Sequence, residues 1–368
     1  MMKPRVLFLG ALPPPFMGPT LATEVILGSA LRNRFELIHL DTSDPRDIDT
    51  LGALDLLNIY LALKFYVVLL WQILRYRPAL VYIPVSQTTV GYLKDSGFIL
   101  IARVLGRRVL CHLRGGNFRN WLRDASGATR AYVRFVHGLV NGQIVLGESL
   151  RGLFAGILPA DRIFVVPNGK DLSYPPKPPP DGTVRVLFLA NIVRTKGVLD
   201  VLHAVPRVAA SCANVQFLFA GAWEDPLLRA EIETCLAANP ALPIRWVGAT
   251  RGAEKVALIN GADVFVFPTY YPPEGHPWVI VEAMAAGLPV ISTDQGAILE
   301  SVIHGQNGFI VPKRDPAAVA RAIEQLVRDP ALRARMGQES RRLYTERFTE
   351  AHMVANLGRA FDAVISRA

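Results

Sequence analysis

The sequence predicts an α/β protein made of two doubly wound halves, and three observations carry that prediction. Short apolar runs alternate with longer helical patterns along the whole chain. A proline-rich break, YPPKPPPDG at residues 174–182, has five prolines in nine residues and separates two such series. After the break, VRVLFLANIVRTKG repeats the layout of the opening RVLFLGALPPPFMG, as a second strand–loop–helix unit would. A chain of 368 residues also exceeds what one core usually supports. The expected domains are residues 1–173 and 183–348, with a stiff linker over 174–182 and an amphipathic helix over 349–368.

The strands come first. RVLFLG, ELIHL, LVYIPV, RVLCHL, GQIVLG and IFVVPN precede the break; VRVLFLA, VQFLFAG, IRWVG, VFVFP, PVIST and GFIVP follow it. These runs are continuously apolar rather than alternating, which suits parallel strands covered on both faces. Strands alternating with helices imply βαβ units, whose ligands bind beyond the carboxyl ends of the strands. Two such halves would face each other across a cleft. The opening MMKPRVLFLGALPPPF has the basic start of a signal peptide, but its apolar run is too short and prolines replace a cleavage site, so a first strand over Arg5–Gly10 is expected. In LKDSG, Asp95 is expected to cap a helix running from Gly97 to Gly106, with Ser96 beside it. The stretch Leu56–Leu74 is nearly long enough to span a bilayer, but Asn58, Lys64 and Gln72 interrupt it. Two readings stand level: a helix buried by its sheet, or one whose outer apolar side touches a membrane surface.

Composition narrows the class. Apolar residues make up 51% and charged residues 19%, which excludes a disordered chain. Cys111, Cys212 and Cys235 lack metal-ligand spacing, so a reduced, cytoplasmic protein is expected. The net charge of +9 is uneven: residues 1–173 hold 20 Lys/Arg against 12 Asp/Glu, and residues 174–368 hold 20 against 19. Eight arginines (103, 107, 108, 114, 119, 123, 130 and 134) fall within 32 residues, opposed by Asp124 alone. Such a field attracts nucleic acid, an anionic membrane or a phosphorylated substrate.

The chemistry concentrates in PPEGHPWVIVEAMAAGLPVI, residues 272–291. Glu274 lies in a Pro/Gly-rich loop, and Glu282 lies about one turn inside the helix that follows, with Pro277 near its first position. The amides of Gly275, His276 and Trp278 would point out of the helix start as donors. Two carboxylate acceptors flanking a fan of donors suit a polyhydroxylated ligand.

These residues resemble the E-x7-E signature of family 4 retaining glycosyltransferases of GT-B fold. The resemblance extends over nearly the whole chain. LPPPFMG is similar to the phosphate loop of the first domain, VPNGKDLS to the segment ending that domain, and NIVRTKG to the diphosphate loop of the second. STDQGAILESVIHGQNGFIVP, with Gly296, Glu300, Gly305 and Gly308, is similar to the stretch after the E-x7-E helix. The resemblance implies a nucleotide-sugar donor. Glu282 would accept from its ribose hydroxyls and Glu274 would hold the transferred sugar, helped by the amides of Gly275 and His276. Lys196 would sit on the diphosphate, Gly18 would let backbone approach it, and the final helix would return to the first domain. No metal or other cofactor is expected where cationic side chains stabilise the leaving diphosphate.

Two departures accompany the resemblance. Asn191 stands where the family usually has an arginine, and Arg194 or Arg114 would substitute. Many relatives carry histidine at the position of Arg114, whereas here His112 lies two residues earlier on the same side of a strand. Either His112 or Arg114 can take that role, and an interior strand histidine is more often simply a core residue. His276 is expected to line the sugar pocket, and Glu300 is equally a structural or a ligand-side residue. The basic half and the apolar helix suggest a lipid-linked, pyrophosphate-bearing acceptor or an oligosaccharide one, met at the inner face of an anionic membrane. A hydrolase using Glu274 and Glu282, a nucleic-acid binder using Phe118, Trp121 and Tyr132 among the arginines, and a nucleotide-sugar epimerase of the same fold rank below transfer.

Overall fold

The computed structural model describes residues 3–14, 17–43 and 56–367. Contacts divide the chain into two units, Met1–Lys170 with Glu350–Ala368, and Asp171–Thr349. All twelve apolar runs form strands, six in each unit, and every pairing is parallel.

The first unit alternates β1 (Arg5–Gly10), α1 (Gly18–Gly28), β2 (Glu36–Asp41), α2 (Leu56–Tyr76), β3 (Leu80–Val85), α3 (Thr89–Val104) and β4 (Arg108–Leu113), then α4 (Phe118–Asp124), α5 (Gly127–Gly138), β5 (Gly142–Val145) and β6 (Ile163–Val165). Its sheet runs in the order β2-β1-β3-β4-β5-β6. Strand order therefore reverses between β1 and β3, and the crevice beyond their carboxyl ends is where such sheets bind ligands. Val6, Leu7, Phe8 and the whole of Leu80–Ile83 are buried, as parallel strands with helices on both faces require.

The second unit contains β7 (Val184–Leu189), α6 (Val198–Ser211), β8 (Val215–Ala220), α7 (Pro226–Ala238), β9 (Ile244–Gly248), α8 (Gly252–Asn260), β10 (Val264–Phe267), α9 (Trp278–Ala285), β11 (Val290–Ser292), β12 (Gly308–Ile310), α10 (Pro316–Arg328) and α11 (Pro330–Arg347). Its order is β12-β11-β10-β7-β8-β9, so the reversal falls at β7, between β8 and β10. The proline-rich segment is irregular and fastened to this unit. Lys177 Nζ donates to the Ala262 carbonyl at 2.7 Å, and Asn260 Nδ2 to the Pro176 carbonyl at 3.3 Å.

A last helix, α12 (Glu350–Ser366), belongs to the first unit. Phe361 packs against Phe35 and Tyr82. Arg108 Nη1 donates to the Val364 and Ile365 carbonyls, two of the carbonyls a helix end leaves without intrahelical partners.

One expectation needs correction. The helix expected over Gly97–Gly106 starts eight residues earlier, because Thr88 is its cap and accepts from the Gly91 amide at 3.3 Å. Asp95 and Ser96 therefore lie mid-helix. Buried Asp95 accepts instead from the Ser86 amide at 2.7 Å, which ties the β3–α3 loop to the helix. Pro277 is the cap of α9, next to its first residue, as expected. Of the two readings of the helix over Leu56–Leu74, the buried one does not hold: the helix buries only Phe65, Leu69 and Ile73 and leaves most of its apolar residues in solvent.

Candidate functional site

In the second unit the chain leaves β10 at Phe267 and crosses to α9 through residues 268–277, directly at the strand-order reversal. Two glycines let neighbouring loops close on this crossing. Gly197, at φ +82°, follows the NIVRTK loop, and a Cβ there would stand 2.4 Å from the Pro268 carbonyl oxygen. Gly296, at φ +60°, would put a Cβ 2.4 Å from the Glu274 carbonyl oxygen and 2.5 Å from that of Gly275. Only glycine accommodates both the positive φ and the approach. The Ala297 amide donates to the Gly275 carbonyl at 2.8 Å, which pins the loop from the same side.

This closure brings Lys196 and Glu274 together. Lys196 Nζ lies 2.6 Å from Glu274 Oε2, with 17% and 10% of the two side chains exposed. Thr269 Oγ1 lies 3.2 Å from the same carboxylate oxygen and can donate to it. The Lys196 ammonium also stands 4.3 Å from the centre of the Tyr271 ring, an aromatic wall favourable to a cation. The pair is largely sheltered and lies in the segments that follow β7 and β10, at the end of the sheet, where an anionic, hydroxylated ligand can trade partners with it.

One turn into α9, Glu282 pairs with a residue the sequence had not singled out. Lys255, on α8, puts its Nζ within 2.6 and 2.7 Å of the two Glu282 carboxylate oxygens. Oε2 is within ion-pair distance yet has no hydrogen bond of good geometry. An ammonium reorients freely about its stem, so at 2.6 Å the two groups are paired. The pair is shielded, with 26% and 18% of the side chains exposed. Nothing local to RGAEKVALIN marks Lys255; only the return of α8 to β10 places it there.

The remaining second-unit candidates have other partners. His276 is buried, its Nε2 2.6 Å from Ser301 Oγ and its ring 5.1 Å from Phe348. Burial, with Arg347 adding to it, pushes its pKa down to about 3, so the imidazole is neutral. Asn191 is exposed and donates to Glu224. Arg194 is exposed and pairs with Glu231 on α7 rather than lying against Lys196. Gly275 and Pro277 are buried, and Trp278, half-buried, opens α9. Glu300 lies 3.9 Å from Arg347.

The first unit has its own site at the β1/β3 reversal, a cavity of about 360 Å³. Thr20 on α1, Asp95 on α3, and His112 and Arg114 at the end of β4 line it. Gly18 opens α1 beside it; residues 15 and 16 of the LPPPFMG loop lie outside the described residues. Here His112 and Arg114 are joined by a third residue, Tyr82, which the sequence hid inside an apolar strand. Arg114 Nη2 donates to the Tyr82 oxygen at 2.9 Å, and Nη1 donates to the Pro19 carbonyl at 3.0 Å. Tyr82 Oη is also 2.6 Å from His112 Nδ1. With Arg114 donating to the phenol oxygen, the phenol hydrogen has Nδ1 as its acceptor, which assigns the imidazole proton to Nε2. Burial, then Arg114, holds the His112 pKa well below its ordinary value, so the ring is neutral. That Nε2–H and Arg114 Nε are buried without a hydrogen-bond partner among the described residues. Such unpaired donors are rare in folded proteins, and both belong to residues that line the cavity.

Two parallel sheets, each with its polar groups at the strand-order reversal, define the GT-B class of doubly wound protein. Over 98% of this chain and 100% of its own, the structure of Anabaena HepE in complex with UDP and glucose superposes with a TM-score of 0.73 at 18% identity. Residues 171–343, nearly the whole second unit, match the family Glycosyl transferases group 1, so that unit is of this family. It is 31% identical to glycogen synthase of Mycobacterium tuberculosis over 59% of this chain and 51% of the relative. It is 33% identical to phosphatidyl-myo-inositol mannosyltransferase of Mycobacterium leprae over 56% of each. The chain thus spans about half the length of the curated relatives it matches.

Proposed function

We propose that the protein is a retaining, metal-independent glycosyltransferase, moving a sugar from a nucleotide-diphosphate sugar to a lipid-linked glycan or oligosaccharide acceptor. The observation that carries this reading is the Lys196–Glu274 pair at the strand-order reversal of the second unit. In the reaction the bond from the sugar's anomeric carbon to the diphosphate oxygen breaks, and its electron pair leaves with the diphosphate. An acceptor hydroxyl forms the new bond on the same face, and its proton passes to the departing phosphate. Lys196 stabilises the charge that grows on the diphosphate, the largest kind of electrostatic contribution a site can make. Glu274, released from Lys196, accepts from hydroxyls of the transferred sugar. Glu282 accepts from the ribose. The acceptor belongs to the first unit, where the His112 Nε2–H and the Arg114 guanidinium donate to it.

The donor is GDP-mannose or a UDP-sugar; HepE is solved with UDP and glucose. A lipid acceptor is supported by the relative named for phosphatidyl-myo-inositol and by the basic first half. The reading places the protein in the cytoplasm, where nucleotide sugars are available, and in the assembly of a surface polysaccharide or related glycan. The test is calorimetric titration of UDP, GDP, ADP and dTDP and their sugar conjugates, without metal, into wild type and Glu282→Ala. Saturable binding of one nucleotide family, weakened in the variant, is expected. Binding of none would remove the donor site and the transferase reading with it.

A further inference from the structure

We infer that the outer face of α2 is a docking surface for an anionic lipid bilayer, on which the helix lies in the plane of the interface. This inference is independent of the transferase reading. Leu56, Ile59, Tyr60, Leu63, Val67, Leu70, Trp71 and Leu74 are each between 41% and 86% exposed. At about 100° per residue they fall within one arc of roughly 120°. Phe65, Leu69 and Ile73, the buried residues of the helix, lie on the opposite side. A stripe of eight large apolar side chains along some 30 Å of helix far exceeds the scattered apolar residues of an ordinary surface.

The inner side holds the helix along the unit, not across a membrane. Tyr66 Oη donates to the Lys94 carbonyl at 2.7 Å, and its ring meets Phe98 edge-on at 5.0 Å. Gly97 makes room, since a Cβ there would stand 2.4 Å from Tyr66 Cζ. The helix is fixed to α3 through its middle, and its length runs parallel to the surface it exposes.

Charge selects the occupant. From residue 56 to 147 there are 12 Lys/Arg against two acids. Of those acids, Asp95 is buried and Asp124 is paired with Arg123. Lys64 and Arg75 sit at one margin of the apolar arc, where their stems can lie along acyl chains and their heads reach phosphates. Arg77, Lys94, Arg119 and Arg134 are further exposed cations in this stretch. A second copy of the chain would set this positive field against itself, whereas an anionic leaflet complements it. Tyr60 and Trp71 are the residue types that settle at the boundary between headgroups and acyl chains.

The test uses the full chain in flotation with vesicles of equal parts phosphatidylglycerol and phosphatidylcholine, and with phosphatidylcholine alone. Binding to the anionic vesicles is expected, falling with added salt. The triple substitution Leu63→Glu, Val67→Glu and Leu70→Glu should lower partitioning at least tenfold. Lys64→Gln and Arg75→Gln should each lower it by about fivefold. Because all five positions are exposed, unfolding midpoints close to wild type will show that the variants fold. No vesicle binding, or binding unchanged in the triple variant, overturns the inference. So does a wild-type dimer, seen by light scattering, that the triple variant splits while vesicles go unbound, since that assigns the face to a second copy.

Discussion

Both units put polar groups at the end of a parallel sheet where strand order reverses, but they use different electrostatics. The second unit sets out charge: two ammonium–carboxylate pairs, Lys196–Glu274 and Lys255–Glu282, each partly shielded from water. The first sets out a neutral imidazole and a neutral phenol, with Arg114 anchored to Tyr82 and a backbone carbonyl. In the second unit a ligand must exchange with an existing partner, so each ion it recruits releases another. In the first unit a ligand adds hydrogen bonds to donors that lack them. The difference suits a polyanionic leaving group on one side and an uncharged hydroxyl on the other.

The sharpest way to break this comparison is Lys196→Ala. If Lys196 faces charge that develops only as the diphosphate departs, turnover should fall about a hundredfold or more, with a smaller change in donor KM. Lys196→Arg keeps a cation and should recover part of the rate. Equal turnover in Lys196→Ala would take the lysine out of the leaving-group role and leave it as a structural partner of Glu274.

Acid should distinguish the units next. His112 and His137 are buried and neutral in the first unit, His137 with its pKa held at about 4 by burial. The second unit has His276 at about 3. In each case the folded value lies below the ordinary 6.5, so as pH falls the unfolded chain takes up the proton first. The stability these residues contribute is complete above about pH 6.5. It drains away toward pH 4 for His137 and pH 3 for His276, by roughly 1 kcal/mol per pH unit for each histidine. Urea unfolding followed separately in the two units of wild type and of His137→Gln should show the substitution flattening the slope between pH 6 and 5 in the first unit alone. An unchanged slope would mean that His137 charges without cost in the folded state.

How far this was legible depends on the kind of signal. All twelve strands could be read because parallel strands buried on both faces are apolar without interruption, as in RVLFLG and VRVLFLA. Glu274 and Glu282 stood out because loop and helix-start residues lie next to Gly and Pro punctuation, whereas Lys196 was singled out only by the resemblance of NIVRTKG to a diphosphate loop. Tyr82 could not, since one tyrosine in LVYIPV looks like any core aromatic; its role comes from Phe8 stacked at 4.2 Å on one side and β4 on the other. Lys255 could not either, because its partner lies 27 residues away on another helix. Asp95 misled because a short acid before small residues resembles a cap, while its partner is the loop amide of Ser86.

Lys255→Ala sharpens the comparison at moderate size. It leaves Glu282 facing the ligand without its cation, so donor affinity should change by about tenfold while turnover at saturation stays near wild type. A loss of turnover equal to that of Lys196→Ala would show that the two pairs act as one unit.

The smallest expected effect belongs to Arg194, and it tests whether charge alone makes the second-unit site. Arg194 lies two residues from Lys196 and fills the place in the sequence where a missing arginine would be replaced. Yet its guanidinium pairs with Glu231, and about half of each side chain is exposed, 48% and 47%. Exposed pairs are weak and screened by salt. Held by Glu231 in water, Arg194 has little differential interaction to offer a transition state, whereas Lys196 is sheltered beneath Tyr271. Arg194→Ala should therefore change turnover by no more than about threefold, and less at higher ionic strength. A loss as large as that of Lys196→Ala would mean that Arg194 leaves Glu231 when the donor binds, and that the site draws its second cation from the NIVRTKG loop itself.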